Sequence, residues 1–298
     1  MLWRTHILRQ PKLGSTKMPE LPEVETIKNV IEPQITGLMV KNITINRPEV
    51  VARPTAEEFR KAVIGQTLSS MTRRGKFLMI HLKNENRIIL HLRMTGCLLV
   101  VPPGYPMEKH THIILQLDNG MELRFSDPRR FGRFWLIQKN EEDLYSGIGK
   151  LGLEPFSSAC NGAYLQARLG KRKKAIKKCL LDQNVIAGIG NIYSDEILFR
   201  ARLYPSMPAN NLTSIEWERL AAAISECLSY FIEKNKISPE DYLATKGQDY
   251  RNTPFLQVYG HDNEPCPNCS KTLVRTVIGG RSSVYCLNCQ RDRHTDIK

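Results

Sequence analysis

The sequence predicts an α+β chain: an N-terminal β-sandwich domain with a leading helix, a helical domain, and a C-terminal module built on four cysteines. Three observations carry this. Short runs of β-type residues fill the first half, helical periodicity without interior proline fills the third quarter, and two C-x2-C pairs close the chain. A chain of 298 residues is long enough for two or three domains. The expected bounds are a leader at 1–17, the sandwich at 18–148, the helical domain at 149–252 and the cysteine module at 253–298.

The leader holds Arg4, Arg9, Lys12 and Lys17 and no acid, and it runs into KMPELPEVE, where Met18 looks like a first residue. The leader is therefore expected to be absent from the mature protein, as an upstream start-codon assignment or, second, as a cleaved organelle presequence. In ELPEVETIKNVIEPQITG, Val24, Ile27 and Ile31 recur at helical spacing with acids in the first turn, so a helix starts near Glu20. LMVKNITINR, KFLMIHL and RIILHLRM read as strands, and THIILQLDNGMELRF as a hairpin turning at DNG. LGLEPFSSACNG is a linker. Beyond it AYLQARLGKRKKAIKKCLLDQ, IYSDEILFRAR and SIEWERLAAAISECLSYFIEKN are helical in pattern.

No apolar run reaches the roughly 18 residues of a membrane helix, and no signal-peptide core of about 7 to 15 residues is present, which places the chain inside a cell. With 43 basic and 30 acidic side chains the net charge is +13, and the four leader bases leave +9 for the rest. Such an excess fits a polyanionic partner, nucleic acid before membrane, although a merely solvated basic surface gives the same count.

Cys266, Cys269, Cys286 and Cys289 have the spacing of two zinc knuckles. Four thiolates leave zinc no open position for water, so one structural zinc ion is expected and the chemistry lies elsewhere. KTLVRTVIGGRSSVYC between the knuckles reads as a hairpin with Arg281 beside its turn. RLGKRKKAIKK carries seven bases and no acid, either a solvated helix end or a row of phosphate contacts. GIGN breaks an apolar segment before a new helix, where amides around Asn191 could seat a phosphate. SDPRRFGRF sets Arg129, Arg130 and Phe131 side by side after a strand, which suits a wedge into a base stack or an arginine pair beside a core phenylalanine.

Together MPELPEVE, RRGKFL, HLRMTG, KHTHI, DPRRFG, LLDQNVIAGIGNIYSDEIL, QVYG and the cysteine pairs with GGRSSVYC resemble the formamidopyrimidine-DNA glycosylase family, with endonuclease VIII-like proteins as relatives. The resemblance runs from Met18 to the last cysteine pair. It implies a bacterial base-excision repair enzyme of two lobes, a β-sandwich and a helix-two-turn-helix unit with a zinc finger, with DNA in the cleft. It further implies that Pro19 is the nucleophile, Glu20 the acid that activates the sugar, Glu23 a supporting carboxylate near the lesion, and Lys76 a phosphate contact that assists elimination. Met94, Arg129 and Phe131 match residues that fill the vacated base position. His110, Arg172, Lys177 and Asn191 match DNA-backbone contacts, and Arg281 a finger arginine acting on flanking phosphates and in strand cleavage. The implied partner is double-stranded DNA carrying oxidised bases or abasic sites, bound by a monomer in the bacterial cytoplasm at the nucleoid.

An amino-terminal proline suits such work. An α-amino group of pKa about 7.7 to 8.0 is roughly 10 to 20% neutral at pH 7, against about 1 in 2,500 for an ordinary lysine. Its imine with an opened sugar is an electron sink that permits loss of the 3′ and then the 5′ phosphate. Within a longer chain Pro19 is a tertiary amide and cannot do this. The sequence departs from the family at Arg93, where glycine is usual, at His261, where arginine is usual, and at NKISPED, where a glycine-threonine loop commonly closes over 8-oxoguanine. Three functions follow: a glycosylase and lyase for oxidised purines, an endonuclease VIII-like enzyme for oxidised pyrimidines, or a lesion-binding protein whose proline is capped by a retained leader.

Overall fold

The computed structural model describes residues 18–248 and 251–291; the leader and its start-site expectation lie outside them. Helix α1, Leu21–Ile35, begins one residue after Glu20, and Val24, Ile27 and Ile31 are fully buried on its inner side. Pro22 stands in its first turn, where a missing N–H is harmless. The Glu23 carboxylate returns to the Glu20 N–H at 2.9 Å, a reciprocal helix start.

Two sheets follow. The strands are β1 (Val40–Ile45), β2 (Val51–Arg53), β3 (Leu68–Arg74), β4 (Phe77–Leu82), β5 (Arg87–His91), β6 (Cys97–Val101), β7 (Thr111–Leu117), β8 (Glu122–Ser126) and β9 (Arg133–Ile137), with helix α2 at Ala56–Val63. One sheet has the order β1-β7-β8-β6 and the other β2-β9-β5-β4-β3, antiparallel except where β2 meets β9. The expected β7–β8 hairpin turns at Asp118–Gly120, with Gly120 at φ +86°, a left-handed conformation glycine adopts without strain. Val40, Ile113 and Phe125 of the first sheet and Leu78, Leu90 and Phe134 of the second share one core with α1, as in a sandwich.

The second lobe comprises α3 (Gly162–Leu169), α4 (Ile176–Leu180), α5 (Asn191–Arg200) and α6 (Ser214–Lys234) around Leu165, Tyr193, Trp217 and Leu228. The helix expected through RLGKRKKAIKK is not continuous. Gly170 ends α3, Ala175 adopts extended geometry and pairs with Pro208, and α4 begins at Ile176, so most of the basic run is a loop. The expected 149–252 unit also does not keep to itself: Ile237, Tyr242 and Leu243, around α7 (Pro239–Ala244), pack into the sandwich core. Leu21 of α1 in turn packs into the second lobe. Strands β10 (Val274–Ile278) and β11 (Arg281–Tyr285) form the cysteine module's hairpin, with Gly279 and Gly280 at φ +58° and +77°. Two successive positive φ values suit a tight two-residue turn.

Arg93 has φ +57°, a left-handed conformation that glycine adopts without strain. A left-handed L-residue costs about 1–2 kcal/mol, partly offset by the entropy a glycine loses on folding. Arg93→Gly should therefore stabilise the fold by about 0.5–1 kcal/mol, read as a higher urea midpoint at unchanged slope.

Candidate active site

Pro19 is buried at the seam of the lobes, directly before Glu20, while Met18 remains accessible. The Glu20 carboxylate accepts main-chain N–H groups from Gly190 (2.8 Å), Ile192 (2.9 Å) and Tyr193 (3.3 Å), the start of α5. That helix terminus favours a negative charge, which Glu20 supplies from across the lobe boundary. These amides are thus not a phosphate seat. A side chain at Gly190 would run into Glu20, so the GIGN glycines allow the approach.

Glu23 lies behind Glu20. Its carboxylate accepts the Tyr193 hydroxyl at 2.5 Å and the Asn252 amide at 2.6 Å, and Asn252 also donates to the Tyr193 oxygen at 2.7 Å. Burial, with the charge of Glu20, raises its pKa from 4.5 to about 6. The native carboxyl then holds its proton more tightly than the unfolded chain does. Stability attributable to Glu23 is highest below about pH 4.5 and falls as pH rises to about 6, by about 2 kcal/mol in all. Glu23→Gln should flatten that stretch of the pH–stability curve in urea titrations.

Lys76 follows Gly75, which turns from β3 to β4 at φ +55°. Burial lowers its pKa, Glu20 and Glu23 pull upward, and Arg281 adds to the lowering. Those four groups therefore share one electrostatic field although they come from α1, the sandwich and the cysteine module. Arg281 stands exposed at the start of β11, opposite Ile278.

The suggested wedge comes from two neighbouring loops. The Arg129 guanidinium lies 5.0 Å from the centroid of the Phe131 ring, and that ring is 47% exposed, so it is not a core phenylalanine. Met94 is half-buried on the loop after β5. Buried Asp127 joins the loops: its carboxylate accepts the Thr95 hydroxyl and the N–H groups of Arg129 (3.2 Å) and Gly132 (2.8 Å). His110 lies beside this loop, its carbonyl accepting the Asp127 N–H at 3.0 Å.

The remaining positions are taken up by partners within the protein. Arg172 is ion-paired with Asp182 at 2.8 Å and half-buried. The Asn191 amide lies against Tyr259, and its Oδ1 has no partner among the described residues. Lys177 corrects an expectation: its side chain is 0% exposed, with Nζ 2.7 Å from both Asp195 Oδ1 and the Ser282 carbonyl. It fastens the hairpin to the helical lobe and presents nothing to solvent. Lys177→Ala would strand the Asp195 carboxylate, at a cost of about 3–5 kcal/mol measurable by denaturation.

Several contributors were not singled out in the sequence. Asp195 also accepts the Ser283 hydroxyl (2.7 Å) and the Val284 N–H (3.1 Å), and Glu196 takes the N–H groups of Gln257, Val258 and Tyr259. Two consecutive acids on α5 thus orient the module that carries Arg281. His91 packs edge-on to Phe77 at 4.5 Å and accepts the Arg93 N–H on Nδ1. Burial first, then Arg93 and Lys76, depress its pKa to about 3, so the ring is neutral. Its place within HLRMTG was the available signal.

The sulfurs of Cys266, Cys269, Cys286 and Cys289 lie within 4.8 Å of one another, with two pairs at 3.8 and 3.5 Å. A tetrahedron of 2.3 Å zinc–sulfur bonds has edges of about 3.8 Å. The donors fit one structural zinc ion.

Residues 18–134 match the formamidopyrimidine-DNA glycosylase N-terminal domain, 151–242 the H2TH domain of the same enzymes, and 263–291 the zinc finger found in FPG and IleRS. A formamidopyrimidine-DNA glycosylase of Desulforamulus reducens is 41% identical over 92% of this chain and 99% of its own; one of Bacillus cereus is 39% identical over the same shares. The Lactococcus lactis Fpg (MutM) in complex with oxidised-pyrimidine DNA superposes with a TM-score of 0.84, at 32% identity, over 92% of this chain and 100% of that one. The same protein with abasic-site DNA gives 0.84 at 31% identity, over the same shares. With its sandwich, its helical lobe and its four-cysteine finger, the chain belongs to the formamidopyrimidine-DNA glycosylase family.

Proposed function

We propose that the protein is a bifunctional DNA glycosylase and abasic-site lyase that excises oxidised purines, 8-oxoguanine and formamidopyrimidines, through a Schiff base on Pro19. The observation that carries this is the Glu20 carboxylate, next to buried Pro19, gripped across the lobe boundary by the N–H groups of Gly190, Ile192 and Tyr193, with the charges of Lys76 and Arg281 acting in the same field. In that reading the target nucleotide leaves the stack and Met94, Arg129 and Phe131 fill its place. The Pro19 nitrogen bonds to C1′ and yields its N–H proton to the Glu20 carboxylate, which passes a proton to the sugar ring oxygen as the C1′–O bond breaks. The nitrogen lone pair then expels the base, which leaves with the C1′–base electron pair and takes a proton from water, and a cationic imine remains. A base takes the C2′ proton, the C2′–H electron pair flows into the cationic imine, and the resulting enamine expels the 3′ phosphate. A second elimination of the same kind, with loss of a C4′ proton, expels the 5′ phosphate. Lys76 and Arg281 hold those phosphates. The zinc ion, when bound, supplies no chemistry beyond holding the hairpin.

Family membership and the net charge of +13 support DNA as the partner. The match to the family's N-terminal domain begins at residue 18, which supports Met18 as the working start. A preference for oxidised pyrimidines is the second reading, favoured by NKISPED in place of the glycine-threonine loop. Incubation with duplexes carrying 8-oxoguanine, a formamidopyrimidine or an oxidised pyrimidine tests both. The first reading expects the purine lesions to be cut at least about tenfold faster, about 1.4 kcal/mol of discrimination, with phosphates on both ends of the gap. Base loss without strand cleavage would overturn the lyase assignment.

A further inference from the structure

The turn that presents Lys76 is held from outside its own sheet. Glu154 lies in the connection between the lobes, where its Oε1 accepts the Gly75 N–H at 2.6 Å and Arg74 Nη1 at 2.9 Å, and its Oε2 accepts Arg73 Nη2 at 2.9 Å. Arg73 also reaches Glu25 of α1 at 2.7 Å and the Gly75 carbonyl at 3.0 Å. Arg74 donates to the carbonyls of Leu151 and Gly152. Burial alone would raise the Glu154 carboxyl, but Arg73, the Gly75 amide and Arg74 hold its pKa below the ordinary value, so it is ionised at neutral pH.

The other edge of the same connection is stitched to the helical lobe. Gly152 N–H donates to the Gln183 carbonyl (2.8 Å), Leu153 N–H to Val185 (3.1 Å), and Ala187 N–H to Leu153 (2.9 Å). That segment continues into Gly188 and Gly190, and Gly190 with Ile192 and Tyr193 grips Glu20. Ala187 and Gly188 also lie directly against Gly75, where any side chain would crowd them. One carboxylate thus stands between the structure that sets Lys76 and the structure that sets Glu20.

We infer that Glu154 is a positioning residue for strand cleavage: it fixes the Gly75–Lys76 turn relative to Glu20 and makes the placement of Lys76 depend on the seating of the second lobe. This role rests on the reading in which Lys76 assists elimination. Charge-assisted bonds of this length orient a turn as well as stabilise it. A misplacement of about 1 Å can cost about 100-fold in rate.

The test is a double-mutant cycle on single-turnover cleavage of a preformed abasic site by saturating enzyme, with affinity for an uncleavable abasic analogue measured in parallel. Glu154→Gln keeps the volume and an acceptor for the Gly75 N–H but removes the charge facing two arginines. It should slow cleavage about tenfold and change affinity less than about threefold, and in a Lys76→Ala background it should change the residual rate less than about twofold. Glu154→Asp, which keeps the charge, should lie nearer the parent, and it carries the same cycle if the glutamine variant fails to fold. Glu122→Gln, which breaks the Arg124 ion pair within the other sheet, should leave the rate within about twofold. Equal fold-losses with and without Lys76, or parallel losses of affinity and rate, would overturn the inference. If the parent protein binds but does not cleave, the functional reading falls, and this role with it.

Discussion

Glu20→Gln should abolish base excision while sparing much of the cleavage of a preformed abasic site. Proton transfer by a positioned carboxyl contributes about 100- to 10,000-fold, and that is the expected loss in the excision rate on 8-oxoguanine duplex. An abasic sugar has no base to expel, so its cleavage should fall far less. The structure adds a stability effect. Three N–H groups converge on this carboxylate, and a glutamine amide offers them one oxygen and a competing donor. Leaving one such N–H unsatisfied costs about 1–3 kcal/mol. The separation of excision from abasic cleavage is therefore to be measured at a temperature well below the variant's transition.

Removing zinc should unfold the finger and leave the rest standing. The finger's own core is small, formed by Val258, Leu273, Val284 and two of the cysteines against Phe199 of α5. Binding of structural zinc is worth about 10–16 kcal/mol in zinc-finger peptides, which such a core cannot replace. Chelation, or Cys286→Ser, should therefore displace Arg281 and lower DNA affinity at least about 100-fold, while the sandwich keeps its own unfolding transition. The ties of Asp195 to Ser283 and Val284, and of Glu196 to the Val258 N–H, bound the damage on the helical side. Unchanged DNA affinity in the metal-free protein would show that Arg281 is not a contact.

Local periodicity made much of the fold legible. The apolar spacing of α1 and the alternation around DNG are short-range signals, and both elements form where the pattern places them. The cysteine knuckles were legible for the same reason, since ligand spacing is local. Long-range pairing was not. Glu20 and the amides of α5 are separated by 170 residues or more, so the GIGN turn read as an open anion seat when it is already filled. Charge was also misleading where burial is decided in three dimensions. Lys177 sits in a basic run that looks solvated, yet the acid that neutralises it stands 18 residues away on α5. Gly170, inside the same run, ends the helix that the flanking periodicity suggested. The packing of Tyr242 into the sandwich, where its hydroxyl reaches the Leu98 carbonyl at 3.3 Å, likewise has no local signature.

The most direct test of the account is borohydride trapping on abasic and 8-oxoguanine duplexes by two forms of the protein, one beginning at Pro19 and one at Met1, with intact mass confirming each terminus. An amide nitrogen is conjugated with its carbonyl and has no lone pair to give, so a Schiff base requires the free amine. The account predicts a covalent complex from the form beginning at Pro19 and none from the longer form, although both bind the duplex. Equal trapping by the longer form would contradict it and move the nucleophile to another amine.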